Sequence, residues 1–322
     1  MKQSRWQHHT YRHPYLFALI LLVVAFTFNL LLQPNLLEPT ALNRNMRVFL
    51  PLILVAIGQA IVMIGGGIDI SVGSIVSVVN ALLATQIGLS GDPVTAVLIM
   101  GIALLVGMGA GALNGLFIAY LRLQPIITTF ATSFIYAGLA LFILPNPGGG
   151  VPPQFTAFYR ETVVLWLPLA FYIIAALLLA WAFVRRTRYG RYLYAVGGKA
   201  DAAYETGVPV RAVQFSTYVI SGLMAALGGI AMTLLTGSGN AQVGDPLTLA
   251  SITAAVIGGT PLSGGAGGIA GPIIGAVILG LIRNIISFAN VATWWQTFVN
   301  AAIIVLALAM PGIINLIRGR NA

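Results

Sequence analysis

From Tyr15 onward the chain is a succession of apolar stretches of membrane length, and only one of the polar interruptions between them is long. A helix of about 20 apolar residues crosses the hydrocarbon core of a bilayer. In lipid every backbone N–H and C=O must be bonded within the protein, which a helix achieves inside a single segment. The stretches fall at Tyr15–Leu32, Met46–Ile64, Asp69–Ile87, Pro93–Leu121, Pro125–Leu144, Glu161–Val184, Ala212–Leu235, Leu247–Ile257, Ile269–Ile286 and Val291–Ile314. Residues 1–14 form a polar, basic tail, and residues 15–322 are expected to be a single all-α polytopic membrane domain of about ten spans. Only 7% of residues are charged and the mean hydropathy is +0.94, where a soluble domain carries roughly 25% charged residues. The first stretch is too long for a signal-peptide core and lacks a clear small-residue cleavage site, so it reads as a retained span.

The basic residues set the expected orientation. With ten crossings both termini lie on one side, and a cytoplasmic assignment puts Lys2, Arg5, Arg12, Arg122, Arg185, Arg186, Arg188, Arg191, Lys199, Arg211, Arg318 and Arg320 inside. Arg44, Arg47, Arg160 and Arg283 are then outside or near the outer end. This asymmetry follows the positive-inside tendency, so the net charge of +9 reads as topology and not as a nucleic-acid surface. Trp166, Trp181, Trp294 and Trp295 sit near span ends as interfacial anchors. The Pro- and Gly-rich connector Pro145–Arg160 reads as an irregular loop. The chain has no cysteine, which excludes disulfides, thiolate metal sites and cysteine nucleophiles. The three histidines, His8, His9 and His13, all lie in the tail and read as solvated, so no metal site is expected.

Arg185–Arg211 is the long polar interruption. Within it Asp201-Ala202-Ala203-Tyr204-Glu205 favours a short helix, Asp201 is a candidate cap for its start, and Gly207, after Thr206, can end it in the left-handed conformation. One reading is a helix lying across the cytoplasmic surface that hands a mechanical signal to a soluble partner. The other is an ordinary basic loop, and the loop alone does not separate them.

Three further features bear on function. Gly65-Gly66-Gly67 breaks a helix at membrane depth, followed by Asp69 and Ser71, which can cap the next one. Asp69 is the acidic residue set well inside the apolar region, where an ionisable group is a functional candidate; contact with substrate hydroxyls and capping are both open to it, capping being preferred. Gly258–Gly275 begins with seven glycines in fourteen residues, among them Gly258, Gly259, Gly264 and Gly265, with Ser263 between. Such a run must turn inside protein or at the membrane edge. The polar residues Asn80, Asn114, Gln124, Thr128, Thr129, Thr132, Ser133 and Asn284 suit either a path for an uncharged polyhydroxyl solute or hydrogen bonds between helices. Glycines at four-residue spacing, Gly107, Gly111, Gly115 and Gly267, Gly271, Gly275, leave bare helix stripes in both halves and suggest an internal repeat. No phosphate-binding GxxxxGK[ST] occurs, no HExxH or GxSxG supplies a hydrolase, and no acidic or histidine relay crosses the membrane.

Gly66-Gly67-Ile68-Asp69-Ile70-Ser71-Val72-Gly73 resembles the GGIDLSVG signature of the ribose-type ABC sugar-importer permeases. Tyr189-Gly190-Arg191 through Gly197-Gly198, with Ala202-Ala203 and Gly207-Val208, resembles that family's cytoplasmic loop. Ala254-Ala255-Val256-Ile257-Gly258-Gly259-Thr260 with Ser263-Gly264-Gly265 resembles its late AAVVIGGTSLxGG motif. The resemblance implies a ten-span permease similar in fold to the vitamin B12 importer (type II) permeases, in the bacterial cytoplasmic membrane. It implies a second permease subunit, like or paralogous, a cytoplasmic ABC ATPase that uses ATP and Mg, and a periplasmic solute-binding protein that delivers a sugar-like solute. This chain would itself hold no cofactor and catalyse nothing. Asp201–Gly207 would dock in the ATPase, and Gly66, Gly67, Asp69, Ser71, Asn80, Asn114, Thr129, Gly258, Gly259, Ser263, Gly264 and Gly265 would form the path or its helix breaks. The chain departs from the pattern at Thr248 and Ala250, where the family often carries carboxylates. The alternative is a stand-alone secondary carrier or channel for a small neutral solute.

Overall fold

The structure, a computed structural model, describes residues 16–90, 92–165 and 167–289 and the helical positions 295, 298, 301–302 and 305. The tail with its three histidines, Trp166, Trp294 and most of the expected last span lie outside the described residues. Twelve α-helices precede residue 290 among those described: α1 Leu16–Leu32, α2 Pro39–Ile64, α3 Val72–Ser90, α4 Pro93–Gly115, α5 Pro125–Ile143, α6 Pro153–Glu161, α7 Leu169–Arg186, α8 Arg188–Gly198, α9 Ala200–Glu205, α10 Val210–Thr236, α11 Asp245–Ile257 and α12 Ala270–Phe288. Helix α4 runs on through a π-helical turn, Leu116–Tyr120. Six helical segments are long and apolar enough to cross a membrane: Pro39–Ile64, Pro93–Tyr120, Pro125–Ile143, Leu169–Arg186, Val210–Thr236 and Ala270–Phe288. Ala18–Leu32, Val72–Gly88 and Asp245–Ile257 are shorter apolar helices. The chain is therefore a mostly helical, polytopic membrane protein.

Helices α2 and α10 form the centre. Nearly all of α2 from Phe49 to Ile64 is buried, so it is apolar all round, as a helix enclosed by others must be. Helix α10 packs along α2, α3 and α4. Gly107, Gly111 and Gly115 face it: a Cβ on Gly107 would come within 2.6 Å of the Gly222 carbonyl oxygen, and one on Gly115 within 2.8 Å of the Phe215 carbonyl oxygen. Helices α11 and α12 pair on the other side, and α1 covers α12. Gly271 and Gly275 bring α12 onto the α11 backbone at Gly258 and Ala254, while Gly267 lies in the loop before α12 with φ +108°. Helix α7 is almost uncovered, with only 6% of its apolar window buried.

Helix starts follow local chemistry. Proline stands at the first positions of α2, α4, α5, α6 and α11, where a missing N–H costs nothing. Asp92 caps α4, its carboxylate accepting from Thr95 N and Thr95 Oγ1, both at 2.9 Å. Between α4 and α5, Arg122 takes φ +59°, the tight turn expected there.

Three segments differ from the sequence reading. The connector Pro145–Arg160 is not wholly irregular but contains α6. Residues Glu161–Pro168, placed in a span, end that helix and form a short hairpin of β1 Val163–Val164 and β2 Leu167–Pro168 before α7 begins. Pro168, which precedes α7, has ψ 148°, an extended conformation that a continuous helix excludes. Arg188–Gly198, read as loop, is α8: Thr187 Oγ1 accepts from Gly190 N at 3.3 Å, and Gly190, Leu193, Val196 and Gly197 give it a buried stripe at helical spacing.

Helix α6 locks one end of the bundle. Pro51 inside α2 has no N–H for the carbonyl of Arg47, four residues earlier. Tyr159 OH donates to that carbonyl at 2.7 Å. Asn43 Nδ2 and Arg47 Nη1 donate to the Arg160 carbonyl at 2.9 and 3.0 Å, and Arg160 Nε donates to the Leu235 carbonyl at 3.1 Å. At the same end Gly148 and Gly239 form an antiparallel bridge.

Candidate functional site

The three sequence motifs meet at the opposite end of the bundle, at a junction made of backbone. Each motif ends a helix in the same way. After α2, Gly66 N donates to Met63 O and Gly67 N to Val62 O, at 2.9 and 3.0 Å. After α9, Gly207 N donates to Tyr204 O and Val208 N to Ala203 O, at 2.9 and 3.1 Å. After α11, Gly259 N donates to Val256 O and Thr260 N to Ala255 O, both at 2.9 Å. These paired bonds are Schellman caps, which need a left-handed residue; Gly66, Gly207 and Gly259 supply it at φ +86°, +81° and +87°.

The remaining glycines let these ends touch. Gly265 N donates to the Ile64 carbonyl at 3.0 Å. A Cβ on Gly197, in the last turn of α8, would overlap that same Ile64 oxygen and lie 2.7 Å from Gly265 N. A Cβ on Gly264 would lie 2.7 Å from the Gly197 oxygen and 2.9 Å from Gly66 Cα; one on Gly265 would lie 2.6 Å from Gly198 Cα. So the chain after α2, the end of α8 and the loop after α11 lie backbone against backbone. Tyr194 OH adds a bond to the Gly267 carbonyl at 2.8 Å. From sequence Gly65–Gly67 and the glycines after α11 read as helix breaks; in the structure Gly66, Gly264 and Gly265, with Gly197, also permit close approach and are packed. Gly258 belongs to the α11–α12 contact, and Ser263 is exposed at the junction's edge.

Helix α9 hangs from this junction. Ala203 and Val208 are buried, whereas Asp201, Ala202, Tyr204, Glu205, Thr206 and Gly207 are exposed, Tyr204 by 74%. Asp201 does not cap the helix: Lys199 occupies the cap position and Asp201 lies within the first turn, where a carboxylate still complements the helix dipole.

Beside the junction, toward the bundle interior, a polar network is fully buried. Asp69 Oδ1 accepts from Ser71 N at 3.0 Å and Ser71 Oγ at 2.7 Å, and Asp69 Oδ2 accepts from Ser221 Oγ at 2.9 Å. The Gln59 amide is placed to donate to the Asp69 carbonyl at 2.9 Å and accept from its N–H at 3.3 Å. Asn114 Nδ2 donates to Ser71 Oγ at 2.8 Å, and Asn114 Oδ1 accepts from Thr132 Oγ1 at 2.7 Å. Thr129 Oγ1 accepts from Ile70 N at 3.0 Å. Residues of α2, α4, α5 and α10 thus hold the turn that starts α3. Asn80 stands apart near the far end, where it donates to Thr233 Oγ1 at 2.9 Å and accepts from Asn240 N at 2.7 Å. Thr128 bonds back to the Gln124 carbonyl, Ser133 to that of Phe130, and Asn284 donates to Asn45 Oδ1 at 3.1 Å.

Gln59, Ser221, Leu193 and Tyr194 were not singled out from sequence, and Gly197 was marked only as part of the loop motif. Gln59 had a readable signal, an amide amid the apolar residues of α2; Ser221 had none, since serine is ordinary in helices that pack closely. Among the described residues no three His, Cys, Asp or Glu side chains gather into a metal-binding group.

Residues 42–308 match the family described as "Branched-chain amino acid transport system / permease component". The ribose import permease protein of Bacillus subtilis (strain 168) is 33% identical over 301 residues, covering 92% of this chain and 91% of that protein. The D-allose transport system permease protein of Escherichia coli (strain K12) is 33% identical, covering 82% and 80%. The autoinducer 2 import system permease protein of Yersinia enterocolitica is 32% identical, covering 84% and 74%. No solved structure matches the chain. With a family match across most of the sequence and relatives this similar over most of their own length, the chain belongs to the permease-component family of membrane transport systems, as a transport subunit and not an enzyme.

Proposed function

We propose that this chain is the membrane permease of an ATP-driven importer for a sugar or related polyhydroxyl solute, and that α8 and α9 carry the motion of an ATPase partner into it. The observation that supports this most is the junction, because the exposed α9 joins through Gly197 and Gly198 to the ends of α2 and α11 without an intervening flexible side chain. A displacement at Tyr204 reaches the ends of α2 and α11 by backbone contact, the kind of rigid transfer that alternating access requires. Relatives named for ribose, allose and autoinducer 2 import support a small polar solute as cargo.

In this reading the permease has about ten membrane segments in two repeated halves, with a fold like that of the vitamin B12 importers. The six helices of spanning length, three shorter apolar helices and the apolar stretch Val291–Ile314 are the segments this reading counts. It lies in the bacterial inner membrane with both termini and the junction on the cytoplasmic side. Two permeases, alike or paralogous, enclose the path; the ATPase uses ATP and Mg below, and a periplasmic binding protein delivers solute from above. Asp201–Gly207 is the docking segment. The Asp69 network, with Ser71, Asn114 and Thr129, fixes the start of α3 beside the path, and Asn80 fixes the middle of that helix. Gly66, Gly67, Gly258, Gly259, Gly264 and Gly265, with Ser263 at the rim, form the helix breaks that move together.

The test is to substitute the exposed face of α9 in the complete transporter. Glu205→Arg and Ala202→Trp should abolish solute uptake and solute-dependent ATP hydrolysis while leaving the permease folded in the membrane. Normal uptake in both variants would defeat the docking role.

A further inference from the structure

An apolar groove lies between α2, α10 and the largely exposed helix α7. Its cavity measures about 160 Å³. Helix α2 contributes Ile57 and Ile61, α7 contributes Leu177 and Trp181, and α10 contributes Ile220 and Met224, with Tyr189 of α8 at its mouth. Apart from the Tyr189 hydroxyl, which pairs with Ser216 Oγ at 2.8 Å, the lining offers a ligand almost nothing polar. Arg185, Arg186, Arg188 and Arg191, all exposed, flank the lining residues Val184 and Tyr189 along the chain. None of the four forms an ion pair among the described residues, and Arg191 Nη1 donates only to the Arg186 carbonyl, at 3.3 Å.

A hydrocarbon slot capped by unpaired cations matches one kind of occupant on both counts. We propose that the groove binds an anionic phospholipid, with an acyl chain between α2, α7 and α10 and the headgroup phosphate on Arg185, Arg186 and Arg188. Arginine pairs with phosphate through its planar donor fork, and each basic residue near an anionic leaflet contributes roughly a fivefold preference for it. A zwitterionic lipid brings the same phosphate, but its ammonium group cancels the net charge that three arginines favour. The groove also reaches the junction: Ile269 lines it, and a Cβ on Gly268 would lie 3.6 Å from Trp181 Nε1. A bound lipid would therefore brace α7 and α8 against the backbone contacts at Ile64 and Gly265, tying coupling to membrane composition.

Trp181 reports on its own site. The full-length chain, with Trp6, Trp166, Trp294 and Trp295 replaced by Phe, would be placed in vesicles of phosphatidylcholine containing brominated phosphatidylglycerol or brominated phosphatidylcholine. Bromophosphatidylglycerol should quench Trp181 at a severalfold lower mole fraction. Arg185→Gln, Arg186→Gln and Arg188→Gln together should remove that preference, and Ala180→Phe, which fills the slot, should weaken quenching by both lipids. Equal quenching by the two lipids, or a preference that survives both sets of changes, would overturn the proposal. Should the tryptophan-depleted chain fail to fold, native mass spectrometry of the otherwise native chain gives the same decision. Phosphatidylglycerol should stay bound to it and be lost from the arginine variant, and equal retention in the two would overturn the proposal.

Discussion

Gly197 and Gly198 are neighbours in the last turn of α8, and the structure gives them opposite fates on substitution. A methyl group on Gly197 would occupy the Ile64 carbonyl oxygen and stand 2.7 Å from Gly265 N, the donor to that oxygen. Both groups are backbone, so neither can rotate away. The change must separate α8 from the end of α2 or break the Gly265–Ile64 hydrogen bond. Overpacking of this kind costs about 1–3 kcal/mol, and a buried donor left unpaired adds about 1–3 kcal/mol. Gly197→Ala should therefore destabilise the junction by about 2–6 kcal/mol, summing the two. A methyl on Gly198 meets nothing within 4 Å, and alanine is the better helix former by about 1 kcal/mol. Gly198→Ala should be neutral or slightly stabilising. The assay is ATP-driven uptake in vesicles containing the whole transporter, beside thermal unfolding of the permease in detergent. Loss of uptake in Gly197→Ala with near-normal uptake in Gly198→Ala is expected. Equal behaviour of the two variants would refute the claim that backbone contact, and not general helix flexibility, joins the coupling segment to the spans.

Gly66→Ala forces a side chain into the left-handed region at φ +86° and should cost about 1–2 kcal/mol in unfolding experiments. Asp69→Ala leaves Ser71 N, Ser71 Oγ and Ser221 Oγ without their acceptor and should destabilise the protein by several kcal/mol, at about 1–3 per orphaned group; Ser221→Ala, which removes a single donor, should cost much less. Tyr159→Phe deprives the Arg47 carbonyl of the partner that Pro51 cannot provide, an expected loss of about 1–3 kcal/mol measured as a lower melting temperature. The hydrogen bonds from Thr95 hold the Asp92 carboxyl below the usual carboxylate range. Because its folded pKa is depressed, the cap contributes stability above the ordinary carboxylate pKa and loses it as pH falls through the lowered value; in Asp92→Ala that acid-dependent part of the melting curve should vanish.

The apolar helices were legible because lipid demands length and apolarity, signals carried by single segments. Helices from α1 to α5 and from α10 to α12 start or end within a few residues of the stretches marked by composition, apart from α2, which begins seven residues early at Pro39. The misses lie where partner contact decides the structure. Helix α8 carries three glycines, which oppose helix formation, yet Leu193 and Val196 in the core and Thr187 at the cap hold it. Helix α6 depends on Tyr159 and Arg160 reaching carbonyls of α2 and α10, contacts invisible in a local window. The glycine motifs marked the right places but not how the glycines act, since a bare backbone suits both a hinge and a tight contact. The positions of Ile64, Gly197 and Gly265 relative to one another show the tight contact, which no local window displays.

That distinction is open to a direct measurement, made easier because the chain has no cysteine of its own. Lys199 and Ser263 are both exposed and flank the junction on its two loops. Cysteines at these positions, joined by a short bifunctional maleimide in the assembled transporter, would lock the coupling segment to the loop after α11. If the junction moves as one body, ATP-driven uptake survives complete cross-linking; if uptake stops when the bridge forms while singly modified controls still transport, the junction is a hinge and the account is wrong.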